Sequence, residues 1–375
     1  MGKKIKVTIA VVLMVLSIPF CTRWISTVGY YFSDEGEKAT SSLKYRLTGT
    51  STVEVAGLEE FWPGEVIIPE KTIYCGYLCT VTSIGKEAFL RSSLTSVKIP
   101  SSVTEIGWRA FEGCSGLKSV EIPSSVTEIG NYTFSGCRSL ENVEIPSSMT
   151  KISDYAFRGC SGLTSVKIPS SVTEIGYEAF EECIGLTSVE IPSSVTEIGS
   201  GAFYDCSGLT SVKIPSSVTK ISDYTFRGCS GLSSVEIPSS VTEIGSGAFY
   251  DCSGLTSVKI PSSVTKISDY TFRGCRGLTS VKIPSSVTEI GEGAFRGCSR
   301  LKSVEIPSSV TEIGKEAFEG CIGLTSVEIP SSVTRICNGA FMNCFNLDIV
   351  IDKCPVIIVN NAFSRCKSVT WKKDK

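Results

Sequence analysis

Cysteine is the residue type in this sequence with the most obvious chemistry: there are seventeen in 375 residues, and eleven of them recur at every twenty-third residue from Cys114 to Cys344. In an exported protein such a set first suggests disulfides, and a column of cysteines about 4.8 Å apart lies within bonding reach. A column pairs only two by two, however, and its thiols do not converge on one tetrahedral zinc centre. We therefore expect buried free thiols in the column. Better disulfide candidates lie outside it: Cys75 with Cys79, and Cys337, Cys354 and Cys366 near the C-terminal end.

Other catalytic chemistry is poorly supported by the composition. Histidine is absent, which removes the commonest general base, the commonest metal ligand and any Ser-His or Cys-His pair. Lysine and arginine total 36 against 38 aspartates and glutamates, and no basic block beyond the first six residues offers a footprint for phosphates. We expect no catalysis, no cofactor, no metal and no nucleic-acid partner.

A column of charged residues recurs with the same period and is the first of two candidate surfaces. It contains Lys98, Glu121, Glu144, Lys167, Glu190, Lys213, Glu236, Lys259, Lys282, Glu305 and Glu328. As a solvated ladder, opposite charges would pair across neighbouring strands and keep a flat sheet soluble. As a functional surface, the same column would present a polar, repetitive face to a repetitive ligand. Carboxylates in a row, without a pocket or asymmetric pKa values, do not form a glycosidase pair.

Aromatic residues interleaved with arginines form the second candidate surface, which we call the aromatic edge and expect opposite the charged column. It comprises Trp108, Tyr132, Tyr155, Tyr177, Tyr204, Tyr224, Tyr250 and Tyr270, and the arginines among them are Arg109, Arg158, Arg227, Arg273 and Arg296. Tyrosine, tryptophan and arginine are enriched in binding hot spots. The alternative is that the tyrosines pack on neighbouring turns. If the protein binds a partner, we expect this edge to do it.

All of these residues belong to a repeat of twenty-three residues, L-x-x-V-x-I-P-S-S-V-T-x-I-x-x-x-A-F-x-x-C-x-x, numbered from the leucine. Eleven gapless copies run from Leu94 to Asn346, and residues 186–231 match 232–277 at 44 of 46 positions. The valine at position 4 and the isoleucine at position 6 alternate with polar residues, as in a short half-buried strand. The proline at position 7 ends that strand, and Ser-Ser turns the chain into a second extended segment at positions 10 to 13. Alanine, phenylalanine and cysteine at positions 17, 18 and 21 lie on one face of a single helical turn.

Each repeat is therefore one coil of a solenoid, in which stacking buries both faces of every inner coil and both ends need capping segments. In three copies the residue at position 12 is a lysine, at Lys151, Lys220 and Lys266, followed by Ile-Ser-Asp-Tyr. We expect Asp154, Asp223 and Asp269 to compensate those cations at the surface.

The block LTSVKIPSSVTEIGYEAFEECIG at 163–185 and its ten sisters resemble the BspA-like leucine-rich repeats, a class of bacterial and protist surface proteins. The lead-in TSTVEVAG…VIIPEKTIYCGYLCTVTSIGKEAF also looks like the N-terminal cap of that class. The resemblance covers about two thirds of the chain and implies a leucine-rich-repeat fold with a cell-surface or secreted binding role, adhesion included. No asparagine recurs here, so the asparagine ladder of commoner leucine-rich repeats is absent.

The N-terminal sequence MGKKIKVTIAVVLMVLSIPF has the clustered lysines and apolar run of a secretory signal. We assign residues 1–24 to a signal peptide or an uncleaved anchor, 25–42 to a linker, 43–93 to an N-terminal cap with a first irregular repeat, 94–346 to the array, and 347–375 to a divergent last repeat and C-terminal cap. The expected function is secreted or surface-bound recognition of an extracellular protein or glycan, with membrane contact only through the N-terminal segment. The alternative is a structural spacer that keeps residues 1–24 as its anchor.

Overall fold

A computed structural model describes residues 43–59, 64–352 and 356–372, which form a solenoid of stacked coils. The predicted signal segment, the predicted linker and Cys354 lie outside the described residues. The solenoid follows from the period, because equivalent residues of successive coils stand opposite each other; Val143, for example, faces Val120 and Val166. The predicted leucine-rich-repeat solenoid is confirmed.

The front sheet is parallel and takes one strand from each coil, at positions 3 to 5. Its first eleven strands are Glu65–Ile67, Ser96–Lys98, Ser119–Glu121, Asn142–Glu144, Ser165–Lys167, Ser188–Glu190, Ser211–Lys213, Ser234–Glu236, Ser257–Lys259, Ser280–Lys282 and Ser303–Glu305. These strands are short because a proline, which has no N–H to donate, comes two residues after each of them. Ser326–Ile329, Asp348–Ile351 and Ser368–Trp371 form a three-stranded sheet in the coils that follow.

The side sheet takes two residues, positions 12 and 13, from each coil. Its strands are Glu105–Ile106, Glu128–Ile129, Lys151–Ile152, Glu174–Ile175, Glu197–Ile198, Lys220–Ile221, Glu243–Ile244, Lys266–Ile267, Glu289–Ile290, Glu312–Ile313, Arg335–Ile336 and Ile357–Ile358. At the N-terminal end this sheet continues into Tyr77–Ile84, Thr52–Leu58 and the antiparallel outer strand Leu43–Leu47, with Lys71–Tyr74 paired to Tyr77–Ile84. The N-terminal end is thus closed by antiparallel pairing.

The segment that holds the repeated alanine, phenylalanine and cysteine differs from the predicted helical turn. Positions 15 to 20, which we call the turn segment, are a run of turns, and positions 16 and 20 have positive φ in every coil, for example 55° at Arg109 and 71° at Gly113. Left-handed residues cannot continue a right-handed helix. Instead, the N–H groups of Arg109, Phe111 and Gly113 donate to carbonyls of the next coil at 3.0, 2.9 and 2.7 Å. The turn segment is therefore a third line of hydrogen bonds between coils.

The core is a one-dimensional stack. Phenylalanine rings from Phe89 to Phe363 lie face to face, with centroid separations of 5.0 Å at the first pair and 6.0 Å at the last. Each column thiol donates a hydrogen bond to the carbonyl oxygen of the phenylalanine in the preceding coil, as Cys206 Sγ does to Phe180 at 3.1 Å. All eleven column cysteines are buried free thiols, as predicted. A thiol fits here because it fills a small apolar space and still donates one weak hydrogen bond.

The candidate disulfides outside the column are not formed among the described residues. Cys79 is a buried free thiol, so it is not joined to Cys75. Cys366 continues the column by donating to the Phe341 carbonyl at 3.1 Å, and Cys337 lies 3.3 Å from Glu312 Oε1. Cys366 thus has the structural role of the repeat cysteines, and it follows Phe363 at the spacing that Cys114 has from Phe111.

Close approach between coils explains the glycine at position 14. A Cβ on Gly199 would lie 2.7 Å from the backbone carbon of Gly176 in the preceding coil, which no side chain tolerates without movement. The three lysine-type coils carry serine there, and the side sheet is interrupted just before each of them. Ser222 Oγ donates to the Ile198 carbonyl at 2.6 Å, a bond that the N–H makes elsewhere. The serine hydroxyl therefore connects two coils where the strand pairing of the side sheet is interrupted.

Candidate binding surface

The charged column stands on the outer face of the front sheet, and all eleven side chains are exposed. Opposite charges such as Lys98 and Glu121 are neighbours in register. In the described part of the chain, however, members of the column form ion pairs only at its two ends, Lys98 with Glu65 at 3.6 Å and Glu328 with Lys372. The expected cross-strand pairing within the column is therefore wrong. A fully solvated pair gains little from closing, because contact costs side-chain entropy and water screens the attraction.

Charge pairing occurs instead on the side sheet, at the lysine-type coils. Lys220 and Lys266 reach glutamates of the following coil, Glu243 and Glu289, at 2.8 and 2.7 Å. These hydrogen bonds are the main reason that the pKa of each lysine is raised. These ion pairs are half exposed, so we infer that they align neighbouring coils and have no catalytic role.

The three aspartates of those coils add a role that charge compensation did not predict. Asp154, Asp223 and Asp269 each accept a hydrogen bond from a backbone N–H of the next coil, at Tyr177, Ser246 and Glu292, over 2.7 to 2.8 Å. Their charges also contribute to the raised pKa of the nearby lysines. In each lysine-type coil, the serine hydroxyl therefore donates to the preceding coil, and the aspartate carboxylate accepts from the following coil.

The aromatic edge lies along the turn segments, away from the front sheet. Its first part is a continuous aromatic cluster. Trp108 lies between Lys86 and Arg109, at 4.4 and 4.1 Å from the ring centroid. Tyr132 and Tyr155 stack at 4.2 Å, and Tyr177 meets Tyr155 edge to face at 5.1 Å. The packing alternative therefore describes these tyrosines well, although Tyr177 still exposes 42% of its surface.

The second part of the aromatic edge, from Tyr204 to Tyr270, alternates rings with guanidinium groups. Arg227 lies 4.9 Å from the Tyr204 ring centroid and 4.7 Å from that of Tyr250. Arg273 lies 5.0 Å from Tyr250 and 5.7 Å from Tyr270. A guanidinium group at these distances is attracted by the ring faces. These contacts hold the guanidinium groups beside the tyrosine rings.

The other arginines of this edge are occupied by carboxylates. Arg109 pairs with Glu112 at 2.9 Å, Arg158 with Glu181 at 2.8 Å, and Arg296 with Glu319 at 3.0 Å. Within residues 43–59, 64–352 and 356–372, these three arginines form ion pairs with glutamates, whereas Arg227 and Arg273 form none within 4 Å. Each of their guanidinium groups carries five N–H donors.

An acidic coil, which also carries Tyr177, lies between the two parts of the aromatic edge. Glu181 is almost fully buried, and burial together with its hydrogen bond to Glu178 raises its pKa to about 8, although the charge of Arg158 opposes the shift. A shallow groove of about 830 Å³ runs beside this coil and is lined, among others, by Arg138, Ser161, Glu182 and Asp205. The groove is open, so it suits an extended ligand more than a small enclosed one.

Two other kinds of site are absent from the described residues. No group of three or more Cys, Asp or Glu among them could hold a metal ion. Nor does this part of the chain contain a helix long and apolar enough to span a bilayer.

Stacked coils, a parallel front sheet and a leucine at the start of each period define a leucine-rich-repeat solenoid, a scaffold class that typically binds and does not catalyse. A family model described as BspA type leucine rich repeat region matches residues 82–210, 150–279, 196–311 and 288–371. The chain therefore belongs to the BspA-type leucine-rich repeat family.

Solved structures agree with this assignment. A leucine-rich repeat protein from Bacteroides ovatus ATCC 8483 is 34% identical over 87% of this chain and 91% of its own, with a TM-score of 0.73. A leucine rich cell surface protein from Faecalibacterium prausnitzii A2-165 is 31% identical over 79% of this chain and 93% of its own, with a TM-score of 0.51. The pneumococcal vaccine antigen PcpA, at 19% identity, a TM-score of 0.52, and coverage of 84% and 96%, shares the fold alone. No protein of curated function matches the chain.

Proposed function

We propose that this chain is a non-catalytic binding protein, exported by its N-terminal segment and displayed at or released from the cell surface. It recognises an extracellular protein or glycan through the aromatic edge. The observation that carries the proposal is the row of arginine and tyrosine side chains in which Arg227 and Arg273 lie beside tyrosine rings and form no direct ion pair with a carboxylate in the described part of the chain.

Backbone conformation supports the same surface. Tyr224 and Tyr270 occupy position 16 with φ of 56° and 57°, although Gly201 and Gly247 serve at the same position in sister coils. A bulky residue in the left-handed region costs about 1 to 2 kcal/mol relative to glycine. The fold does not require tyrosine at this position, since glycine occupies it in sister coils with a similar φ. Strain of this kind is characteristic of functional surfaces.

The front sheet is the weaker candidate. Its charged side chains are solvated and recur in every coil, and charges of that kind keep an exposed sheet soluble. Surface localisation is supported by family membership and by the description of the Faecalibacterium relative as a cell surface protein. For this chain it rests on the predicted signal segment, which N-terminal sequencing of the exported protein tests: an intact Met1 would favour the anchored spacer.

A binding screen tests the proposed function. The full chain is presented to matrix proteins, glycans and bacterial cells, and the screen is repeated with Tyr177→Ser and Tyr224→Asn combined. Asn tolerates the left-handed backbone, so the fold is retained. The matched control is Lys213→Gln with Lys259→Gln on the front sheet. We expect a partner whose binding falls at least tenfold in the tyrosine variant alone; no partner, or equal binding by all three proteins, would contradict the proposal.

A further inference from the structure

Residues 186–231 and 232–277 are two nearly identical two-coil units, and each places the same four side chains on the aromatic edge. The first unit carries Tyr204, Asp205, Tyr224 and Arg227; the second carries Tyr250, Asp251, Tyr270 and Arg273. Successive phenylalanine rings beneath this edge are 5.6 and 5.5 Å apart, so the two units are displaced by about 11 Å. The edge therefore holds two copies of one constellation, related by a translation along the solenoid.

Glycines in alternate coils make each constellation possible. A Cβ on Gly228 or Gly274 would collide with the carboxylate of Asp205 or Asp251 in the preceding coil. A Cβ on Gly247 would likewise collide with the Tyr224 ring, which lies flat against the next coil. The bulky side chains of one coil thus spread over the bare backbone of the next. Two coils, and not one, are the repeating unit of this surface.

Each constellation combines three chemical functions at zero net charge. Arg227 supplies several N–H donors, Asp205 supplies acceptors, and the Tyr204 and Tyr224 rings supply apolar faces. Burial raises the pKa of Asp205, while the charge of Arg227 opposes that shift. An anionic polymer would meet Asp205 and Asp251 beside every arginine, and a cationic one would meet the arginines. A neutral ligand that both donates and accepts hydrogen bonds and has an apolar face satisfies all three functions.

We propose that these two units are equivalent subsites for one extended neutral polysaccharide, whose successive two-sugar repeats bind the first and the second unit. Sugar hydroxyl groups accept from the guanidinium group and donate to the carboxylate, and the C–H face of the ring packs on tyrosine. Translation by about 11 Å suits a polymer that repeats itself, because identical subsites in register are useful only to identical ligand segments. A protein loop would need no such repetition. The inference names the partner class of the proposed function and rests on it.

The test begins with the full chain in affinity gels that contain cellulose fragments, xylan, mannan or dextran, with polygalacturonate, dextran sulfate and poly-glutamate as charged probes. Oligosaccharides of the retained polymer, two and six sugars long, are then titrated by calorimetry. One variant disables the first unit, Asp205→Asn with Tyr224→Asn, and a second disables the other, Asp251→Asn with Tyr270→Asn. Asn already occupies the equivalent left-handed position at Asn343. Lys213→Gln with Lys259→Gln is the control on the front sheet.

The expected result is retention by a neutral polysaccharide, with two sites for the two-sugar ligand and one for the six-sugar ligand. Loss of either unit should halve the stoichiometry for the short ligand and weaken the long one at least tenfold, because the two linked contacts act through effective concentration. Loss of both units should abolish binding, and the control should behave as the parent chain. Circular dichroism of each variant confirms that the fold is retained.

Other outcomes separate this inference from the proposed function. Binding only to charged polymers or to a protein, lost in the unit variants, would overturn the polysaccharide inference and leave the proposed function standing. Stoichiometry unchanged by either unit variant would also overturn it. Binding to a partner that none of these edge substitutions affects would overturn both, as would a parent chain that binds none of the probes, matrix proteins or cells.

Discussion

The buried thiol column makes the array sensitive to alkali, and the sensitivity can be calculated. Burial raises the pKa of the Cys160 thiol to about 12 and that of Cys114 to about 11, and it also raises the pKa of the other nine column thiols. An unfolded thiol has a pKa of about 8.5. Above that value the unfolded chain loses protons that the folded chain keeps. Stability is therefore fully present below about pH 8.5 and is lost as pH rises toward the folded pKa.

Between pH 7.5 and 10 the loss amounts to about 2 kcal/mol for each column thiol. Summed over eleven thiols it reaches about 20 kcal/mol, more than the ~5 to 15 kcal/mol that stabilises an ordinary domain. If the coils unfold in groups, the loss scales with the number of coils in the group, since each coil contacts only its neighbours. Steep unfolding between pH 9 and 10 is the expected behaviour.

Urea unfolding followed by far-ultraviolet circular dichroism at pH 7.5, 9 and 10, with reductant present, measures this effect. Four alanine substitutions, at Cys160, Cys206, Cys252 and Cys298, provide the matched variant. They should lower stability at pH 7.5 through lost packing, yet reduce the pH dependence of the unfolding free energy by about four elevenths. A urea midpoint that is unchanged from pH 7.5 to 10, or an equal shift in both proteins, would refute the reasoning.

Three further results follow from the packing. Iodoacetamide should leave the eleven column thiols unlabelled in the native protein at neutral pH and label them in urea, as mass mapping would show; labelling of the native column would contradict their burial. Phe226→Ala removes a fully buried ring that is stacked on both sides, and it should lower the free energy of unfolding by about 3 to 5 kcal/mol. Phe363 in the last coil is only half buried, so Phe363→Ala should lower the free energy of unfolding by less than half as much. Urea unfolding measures both values. Gly199→Ala places a Cβ against the backbone of Gly176 and should cost about 1 to 3 kcal/mol in the same assay, so an unaltered midpoint would show that the coils are not in close contact there.

Much of this fold could be predicted from the sequence because the same apolar pattern returns in every coil. Val97 and Ile106 point from their strands into the core of the solenoid, as the alternation of apolar and polar residues predicts. The thiol of Cys114 is buried, as expected for the cysteine column. Periodicity reports which side of the chain is apolar, and eleven repetitions remove the ambiguity of a single short strand.

The turn segment could not be predicted in the same way. Alanine, phenylalanine and cysteine have the spacing of a helical turn, and the left-handed residues are hidden because tyrosine, arginine, glutamate and glycine all occupy position 16. The available signal was glycine that recurs at positions 16 and 20, as in Gly201, Gly247 and Gly113, since recurring glycine indicates positive φ. The spacing of apolar residues does not encode φ. It therefore predicted correctly which side chains are buried but predicted the wrong backbone conformation.

The aromatic edge can be identified by residue type, but its internal organisation depends on three-dimensional contacts. Arg158 forms an ion pair with Glu181, whereas Arg227 forms none. The difference depends on which coil places a glutamate next to the arginine. The interruptions of the side sheet beside Ser222 and the equivalent serines likewise depend on the distance between coils. A linear sequence pattern does not contain that distance.

Hydroxyl-radical footprinting of the chain with its retained partner tests most directly whether the aromatic edge is the binding surface. Tyr224 exposes 38% of its surface in the free protein, and Tyr77, in the N-terminal cap, exposes 70%. Binding should reduce the oxidation of Tyr224 severalfold and leave that of Tyr77 unchanged. Equal oxidation of Tyr224 in the free and bound protein, with protection appearing on the front sheet instead, would contradict the account.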